Sequence, residues 1–177
     1  MHPPEVISEA YEQWRAALPE VSLRRRKGNG TWFFVMDLGQ GLKAAPARTR
    51  DEQKAEKDLP LFRERAALQE PSWPPPPAIS FAELASHWLR LEGNRVTERL
   101  KRDVLRTYRD ELFLLGPMQL DDIRSEDIQG LLSGLAMRKT LGSFNRAMKA
   151  LILLFMWAHC HRFLWKVPAI YILEPTQ

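Results

Sequence analysis

Arg95-Val96-Thr97-Glu98-Arg99-Leu100-Lys101-Arg102-Asp103-Val104-Leu105-Arg106-Thr107-Tyr108-Arg109-Asp110-Glu111-Leu112-Phe113-Leu114-Leu115 decides how the chain is read. Arg95, Arg99, Arg102, Arg106 and Arg109 follow at intervals of four, three, four and three. Residues so spaced share one face of a helix. Leu100, Val104, Tyr108, Leu112 and Leu115 lie roughly opposite. Thr97 fits an N-cap, and Gly116-Pro117 fits a stop. One side of such a helix is built for burial, and the other offers guanidinium groups to an anion. Glu98, Asp103 and Asp110 flank the row, so a solvated charged face is the competing reading.

The pattern stays helical on both sides of this stretch. Ser80-Phe81-Ala82-Glu83 is a capping box that opens a helix to about Leu91, with Phe81, Leu84, Trp88 and Leu91 inward. Ser125 is placed to cap a helix through Met137 that turns Ile128, Leu131, Leu132 and Leu135 inward. Gly130 and Gly134 each weaken that helix by about 1 kcal/mol and suit close packing against a neighbour. A fourth helix runs from about Leu141 to His161. Four helices in this order predict a bundle over residues 80–166. Leu151 to Trp157 cover every face of the last helix, which predicts burial all round. The surplus face needs a cover. The tail with Phe163, Leu164, Trp165, Ile170 and Tyr171 is one candidate, and a partner, either a second copy or a further domain, is the other.

Upstream, Pro71 and the run Pro74 to Pro77 mark residues 69–79 as a semi-rigid polyproline linker. Before it, Leu23 to Lys27, the turn Gly28-Asn29-Gly30 and the aromatic run Trp32 to Leu38 read as a β-hairpin. Gly39-Gln40-Gly41 is a second turn. Leu42 to Thr49 is a weaker strand that Pro46 confines to an edge or an irregular stretch. Asp51 to Leu68 turns helical, and Pro60 is expected to kink or split it. Residues 21–68 thus form a small sheet-plus-helix unit. A short amphipathic helix over residues 4–18 precedes it, of a role the sequence leaves open. The expected class is α+β: a three-stranded sheet with a helix, then a mainly α four-helix bundle.

The 177 residues suffice for one ordinary domain or two small ones, and the net charge is +4. Residues 21–50 carry seven bases against one acid, whereas residues 111–130 carry five acids against one base. Basic and acidic patches therefore alternate. Cys160 is the only cysteine, which excludes an intrachain disulfide. The longest apolar run, Ala150 to Ala158, is too short for a bilayer, which takes about 20 residues. A soluble, cytoplasmic protein is expected, with no cofactor, metal or small-molecule substrate.

Phe81-Ala82-Glu83-Leu84-Ala85 with Trp88-Leu89 resembles the first helix of the core-binding domain of tyrosine recombinases, the phage-type integrases. Leu120-Asp121-Asp122-Ile123 with Glu126-Asp127-Ile128-Gln129, and Ser143-Phe144-Asn145-Arg146-Ala147, resemble later segments of that domain, the second of them the opening of its last helix. The likeness spans about residues 80–175. The basic run, glycine turns, Trp32 and charged helix of the N-terminal part more weakly resemble the arm-binding domain of the same integrases. The resemblance implies a DNA-binding part without the catalytic domain, and so no enzymatic activity. Val167-Pro168 stands where the family has asparagine-proline, and residues 167–177 would lead toward that missing domain. His159-Cys160-His161-Arg162 matches the family's His-x-x-Arg signature by letter but sits at the end of the bundle, far too close to Tyr171. Adjacent helical positions diverge by about 100°, so these residues do not converge on a metal either.

The expected ligand is double-stranded DNA, whose phosphates lysine and arginine neutralise with release of counterions. Arg24, Arg25, Arg26 and Lys27 would serve at the sheet, with Lys43, Arg48 and Arg50 on phosphates. Trp32, Phe33 and Phe34 suit packing better than base stacking. In the bundle, Arg99, Arg102 and Arg106 would face the duplex, joined by Arg138, Lys139, Ser143, Asn145, Arg146 and Lys149. Asn145 could read adenine, or act as a local cap or backbone partner. Phosphate positioning suits most of this set better than base reading. The alternative is a helical interaction or regulatory module whose basic faces are solvated or meet an acidic protein.

Overall fold

The computed structural model describes residues 7–28, 30–37, 42–71 and 73–170. The expected turn residues Asn29 and Gly39 to Gly41, the start of the N-terminal helix and Tyr171 lie outside them. The protein is α+β, as its patterning predicts. It divides into two compact units, one of residues 9–76 and one of residues 77–170 with residues 7 and 8. The division falls within the proline run.

In the first unit, α1 (Glu9–Ala16) precedes β1 (Val21–Arg25), β2 (Trp32–Asp37), β3 (Leu42–Pro46) and α2 (Glu52–Leu68). The strands form an antiparallel sheet in sequence order. Leu23 pairs with Phe34 and Arg24 with Phe33. Alternation sends Phe34 and Met36 into the core beneath α2, and Phe33 and Val35 to the opposite face. β3 is an edge, and Pro46 ends it, so the missing N–H costs no central ladder bond. Phe34 stacks on Phe62 of α2 at 4.8 Å between centroids. A second cluster holds Leu18, Met36, Ala66 and Ala67, with Trp14 and Trp73 against it.

Long-range polar contacts fix α1 in this unit. The buried Tyr11 hydroxyl donates to Glu64 Oε1 of α2. Arg63 Nε donates to the Pro19 carbonyl at 2.7 Å, and Trp14 Nε1 to that of Pro74 at 3.1 Å. α1 is shorter than expected from the sequence, starting at Glu9. α2 continues through Pro60 as one helix, so of the expected kink or split the split does not occur. Both Pro60 and Glu56, whose carbonyl loses its N–H partner, are exposed, so water can take the vacant acceptor.

The second unit holds α3 (Phe81–Glu92), α4 (Glu98–Thr107), α5 (Ser125–Arg138) and α6 (Leu141–Cys160). The capping box is present. Ser80 Oγ accepts from Glu83 N at 3.3 Å, and Glu83 Oε2 accepts from Ser80 N at 2.8 Å. Glu83 Oε1 also accepts from Ser8 N at 2.9 Å. Phe81, Leu84, Trp88 and Leu91 are buried at the expected spacing. α6 packs against α3, α4 and α5 and supplies Leu151, Leu154 and Phe155 to the core.

Four expectations are corrected here. α4 ends at Thr107; Tyr108–Leu112 is a π turn and Phe113–Leu115 a 3-10 turn, where one helix to Leu115 was expected. Arg124, not Ser125, is the N-cap of α5; its N–H donates to Asp127 Oδ2 at 2.8 Å, and Ser125 Oγ accepts instead from Ala169 N. Gly130 is exposed with nothing near the position of a Cβ, and Gly134 lies under the Arg138 side chain, so neither serves helix packing. α6 is not buried all round: Ile152 and Met156 are exposed, while Phe163 and Leu164 of the tail fold in and Trp165 does not.

Candidate nucleic-acid interface

The first unit offers a basic loop and a strained corner. Arg24, on the sheet face opposite α2, and Arg25, Arg26 and Lys27 at the hairpin end are all exposed. Arg25 bends back, with its Cζ 6.0 Å from the Trp32 ring centroid, near the limit of a cation–π contact. None of the four has a carboxylate partner among the described residues. Arg48 has φ of 56°, a left-handed conformation that a branched or long side chain adopts at a cost. Around it, Ala47 N donates to the Trp32 carbonyl and Trp32 N to that of Thr49, so the chain bulges between those bonds. The bulge leaves Arg48 and Arg50 exposed. Lys43 is different: its Nζ sits 2.6 Å from Glu70 Oε2. Trp32 and Phe33 are half-buried and Phe34 is buried.

In the second unit the arginine row is present in part. Arg95 lies before the Thr97 N-cap, outside α4, and pairs with Glu92 at 3.5 Å. Arg109 lies beyond α4, in the π turn. Arg99, Arg102 and Arg106 remain on the exposed face of α4 while Val104 and Thr107 are buried. Leu100, read as inward, is 38% exposed. Arg99 Nε is 4.0 Å from Asp103 Oδ2 and Arg106 Nε is 3.6 Å from Asp110 Oδ2. Arg109 grips Asp110 with two bonds, Nε to Oδ1 at 2.6 Å and Nη2 to Oδ2 at 3.2 Å. That hydrogen bond is the main reason the Asp110 carboxyl titrates below the usual range and the Arg109 guanidinium above its own. Arg102 has no carboxylate partner among the described residues.

At the α5–α6 turn, Lys139 is exposed, and Arg138 Nε donates to the Gly134 carbonyl at 3.0 Å. Thr140 caps α6 by accepting from Ser143 N at 3.3 Å, so Asn145 is not the cap; it sits half-buried inside the helix. Arg146 Nη2 donates to Ser143 Oγ at 2.9 Å, and Arg146 and Lys149 are exposed. The basic residues of α4 and α6 thus stand on neighbouring, contacting helices.

His87 and His161 belong to packing. His87 is fully buried, stacks on Phe163 at 5.7 Å, and its Nδ1 accepts from Arg90 Nη2 at 3.1 Å. His161 stacks on Trp157 at 4.3 Å and donates through Nδ1 to the Trp157 carbonyl. Among the described residues no group of three or more His, Cys, Asp or Glu is placed to hold a metal. No helix among them is long and apolar enough to cross a membrane. Sequence reading overlooked Arg63 and Glu64, which bond to Pro19 and Tyr11 across tens of residues, and Trp73, which packs against the Leu18 and Met36 cluster. Comparison with protein-family models, curated proteins and solved structures finds no match.

Proposed function

We propose that this chain binds double-stranded DNA through two basic surfaces, as the DNA-holding part of a site-specific tyrosine recombinase, without cleaving the duplex itself. The observation that carries the DNA reading is a group of exposed cations with no carboxylate partner among the described residues, which includes Arg24 to Lys27, Arg48 and Arg50 in one unit, and Arg102, Arg138, Lys139, Arg146 and Lys149 in the other. An uncompensated cation is ready to displace a phosphate counterion. The recombinase part rests on motif order in the sequence alone. A cytoplasmic, nucleoid-associated location would follow from it.

A second reading has its own support. The pairs Arg99–Asp103, Arg106–Asp110, Arg109–Asp110 and Lys43–Glu70 neutralise much of both surfaces, as expected of a solvated face or one that meets an acidic protein. Fluorescence anisotropy with a labelled duplex, from about 50 to 200 mM salt, separates the two. DNA binding predicts affinity that falls steeply with salt. It also predicts that Arg102→Ala weakens binding and reduces the salt slope by about one, the share of one phosphate contact. Absence of binding at about 50 mM salt refutes it.

A further inference from the structure

The acids beside the arginine row are placed by a rule. Each of Arg99 and Arg106 has an aspartate four residues on, and the ion pairs follow that spacing at 4.0 and 3.6 Å. Lys101 is held by Glu98 at 2.8 Å. Four residues on from Arg102 comes Arg106, another cation, and Glu98, four residues before it, is engaged by Lys101 instead, so Arg102 is the arginine of the row without a carboxylate partner among the described residues. Asp110 does most of the masking. It takes a two-bond fork from Arg109 and a third contact from Arg106. Adjacent residues of a regular α-helix do not face one another; the Arg109–Asp110 fork occurs in the π turn. The guanidinium side chains are 61% to 87% exposed, so a phosphate can approach each without burying it first.

We propose that Asp103 and Asp110 are built-in competitors for the anion this face binds. They hold Arg99, Arg106 and Arg109 until a ligand presenting several phosphates in a row displaces them, with Arg102 making the first contact. The inference rests on the DNA reading above and deepens it. An isolated anion meets one open arginine and gains little by breaking a pair. A duplex gains several contacts at once and can replace both carboxylates. The acids thereby select for a polyphosphate backbone over small anions and acidic side chains.

The test uses the full chain and the isosteric variants Asp103→Asn and Asp110→Asn, with anisotropy on a labelled duplex across the same salt range. Asp121→Asn, an exposed acid in no ion pair among the described residues, measures the effect of one unit of charge at a distance. Asp110→Asn is expected to tighten binding about three- to fivefold beyond Asp121→Asn, the size of an exposed ion pair. The salt slope should stay close to that of wild type, because the duplex already engages Arg106 and Arg109 once it has displaced Asp110. In an Arg106→Ala/Arg109→Ala background, Asp110→Asn should match Asp121→Asn. Equal effects of Asp110→Asn and Asp121→Asn in the otherwise wild-type chain overturn the proposal and leave DNA binding standing. So does weaker binding by Asp110→Asn, which would make the aspartate a positioning group. A wild-type chain that does not bind at about 50 mM salt overturns both. Thermal melts confirm that each variant is folded.

Discussion

Replacing Tyr11 by phenylalanine removes one oxygen atom from a site where nothing else need move. Tyr11 is fully buried and Glu64 is 1% exposed, and the tyrosine hydroxyl donates to Glu64 Oε1 across 53 residues of sequence. The Phe ring keeps the aromatic contact with Trp14, 5.3 Å away between centroids. The change therefore isolates one hydrogen bond to a buried carboxylate, a class of bond worth about 1.5–3 kcal/mol. In a unit of residues 9–76, a loss of 1 kcal/mol lowers the melting temperature by about 4–8 °C. Tyr11→Phe should accordingly lower the melting transition of this unit by about 10 °C. Differential scanning calorimetry reads the shift, and hydrogen exchange at the β2 amides assigns it to this unit. A shift below about 1 °C, well under the magnitude of such a bond, would mean that Tyr11 does not anchor α1 to α2.

Two further outcomes follow from local geometry. Gly130→Ala should stabilise the second unit by about 1 kcal/mol, because Gly130 is exposed in the helix and an added methyl group meets nothing within 4 Å; a chemical-denaturation midpoint that fails to rise would show that the glycine serves a contact. Burial raises the Tyr108 pKa above its ordinary value of 10.0, so the folded state holds that proton more tightly than the unfolded chain does. The contribution to stability is constant below about pH 10 and is lost as the pH rises beyond it. Tyr108→Phe should lose less stability than wild type between about pH 9 and pH 11, read from denaturation midpoints; identical losses would contradict the assignment.

The α+β class was legible because both periods are strong. Phe81, Leu84, Trp88 and Leu91 keep helical spacing, and Trp32 to Met36 carry strand composition after a glycine turn, so burial enforces what the pattern suggests. The π turn was not legible. Tyr108-Arg109-Asp110-Glu111-Leu112 contains no glycine or proline, and every residue in it tolerates an α-helix. Tertiary contact marks the place instead: Tyr108 stacks on Phe81 at 6.1 Å, and Leu112 is fully buried. The role of α1 was equally hidden, because Tyr11, Trp14 and the α1 carboxyl end find partners at Glu64, Pro74 and Arg63 that no local pattern relates to them.

The candidate interface was half legible. The basic residues stand exposed largely as their spacing implies, but spacing alone did not weigh their acids. Asp103 and Asp110 were visible beside the row, yet only side-chain geometry shows that one aspartate grips two arginines while Arg102 goes without. Arg95 drops out because Thr97, two residues later, caps the helix. The strain at Arg48 has no sequence mark, since a left-handed residue is read from Gly or Asn and not from Arg.

Binding of a labelled duplex by the intact chain, followed from about 50 to 200 mM salt, tests the central claim most directly. The account predicts measurable binding at the low end and a steep, log-linear loss toward the high end, with Arg102→Ala removing about one unit of slope. No binding at about 50 mM salt, or an affinity indifferent to salt, would contradict it.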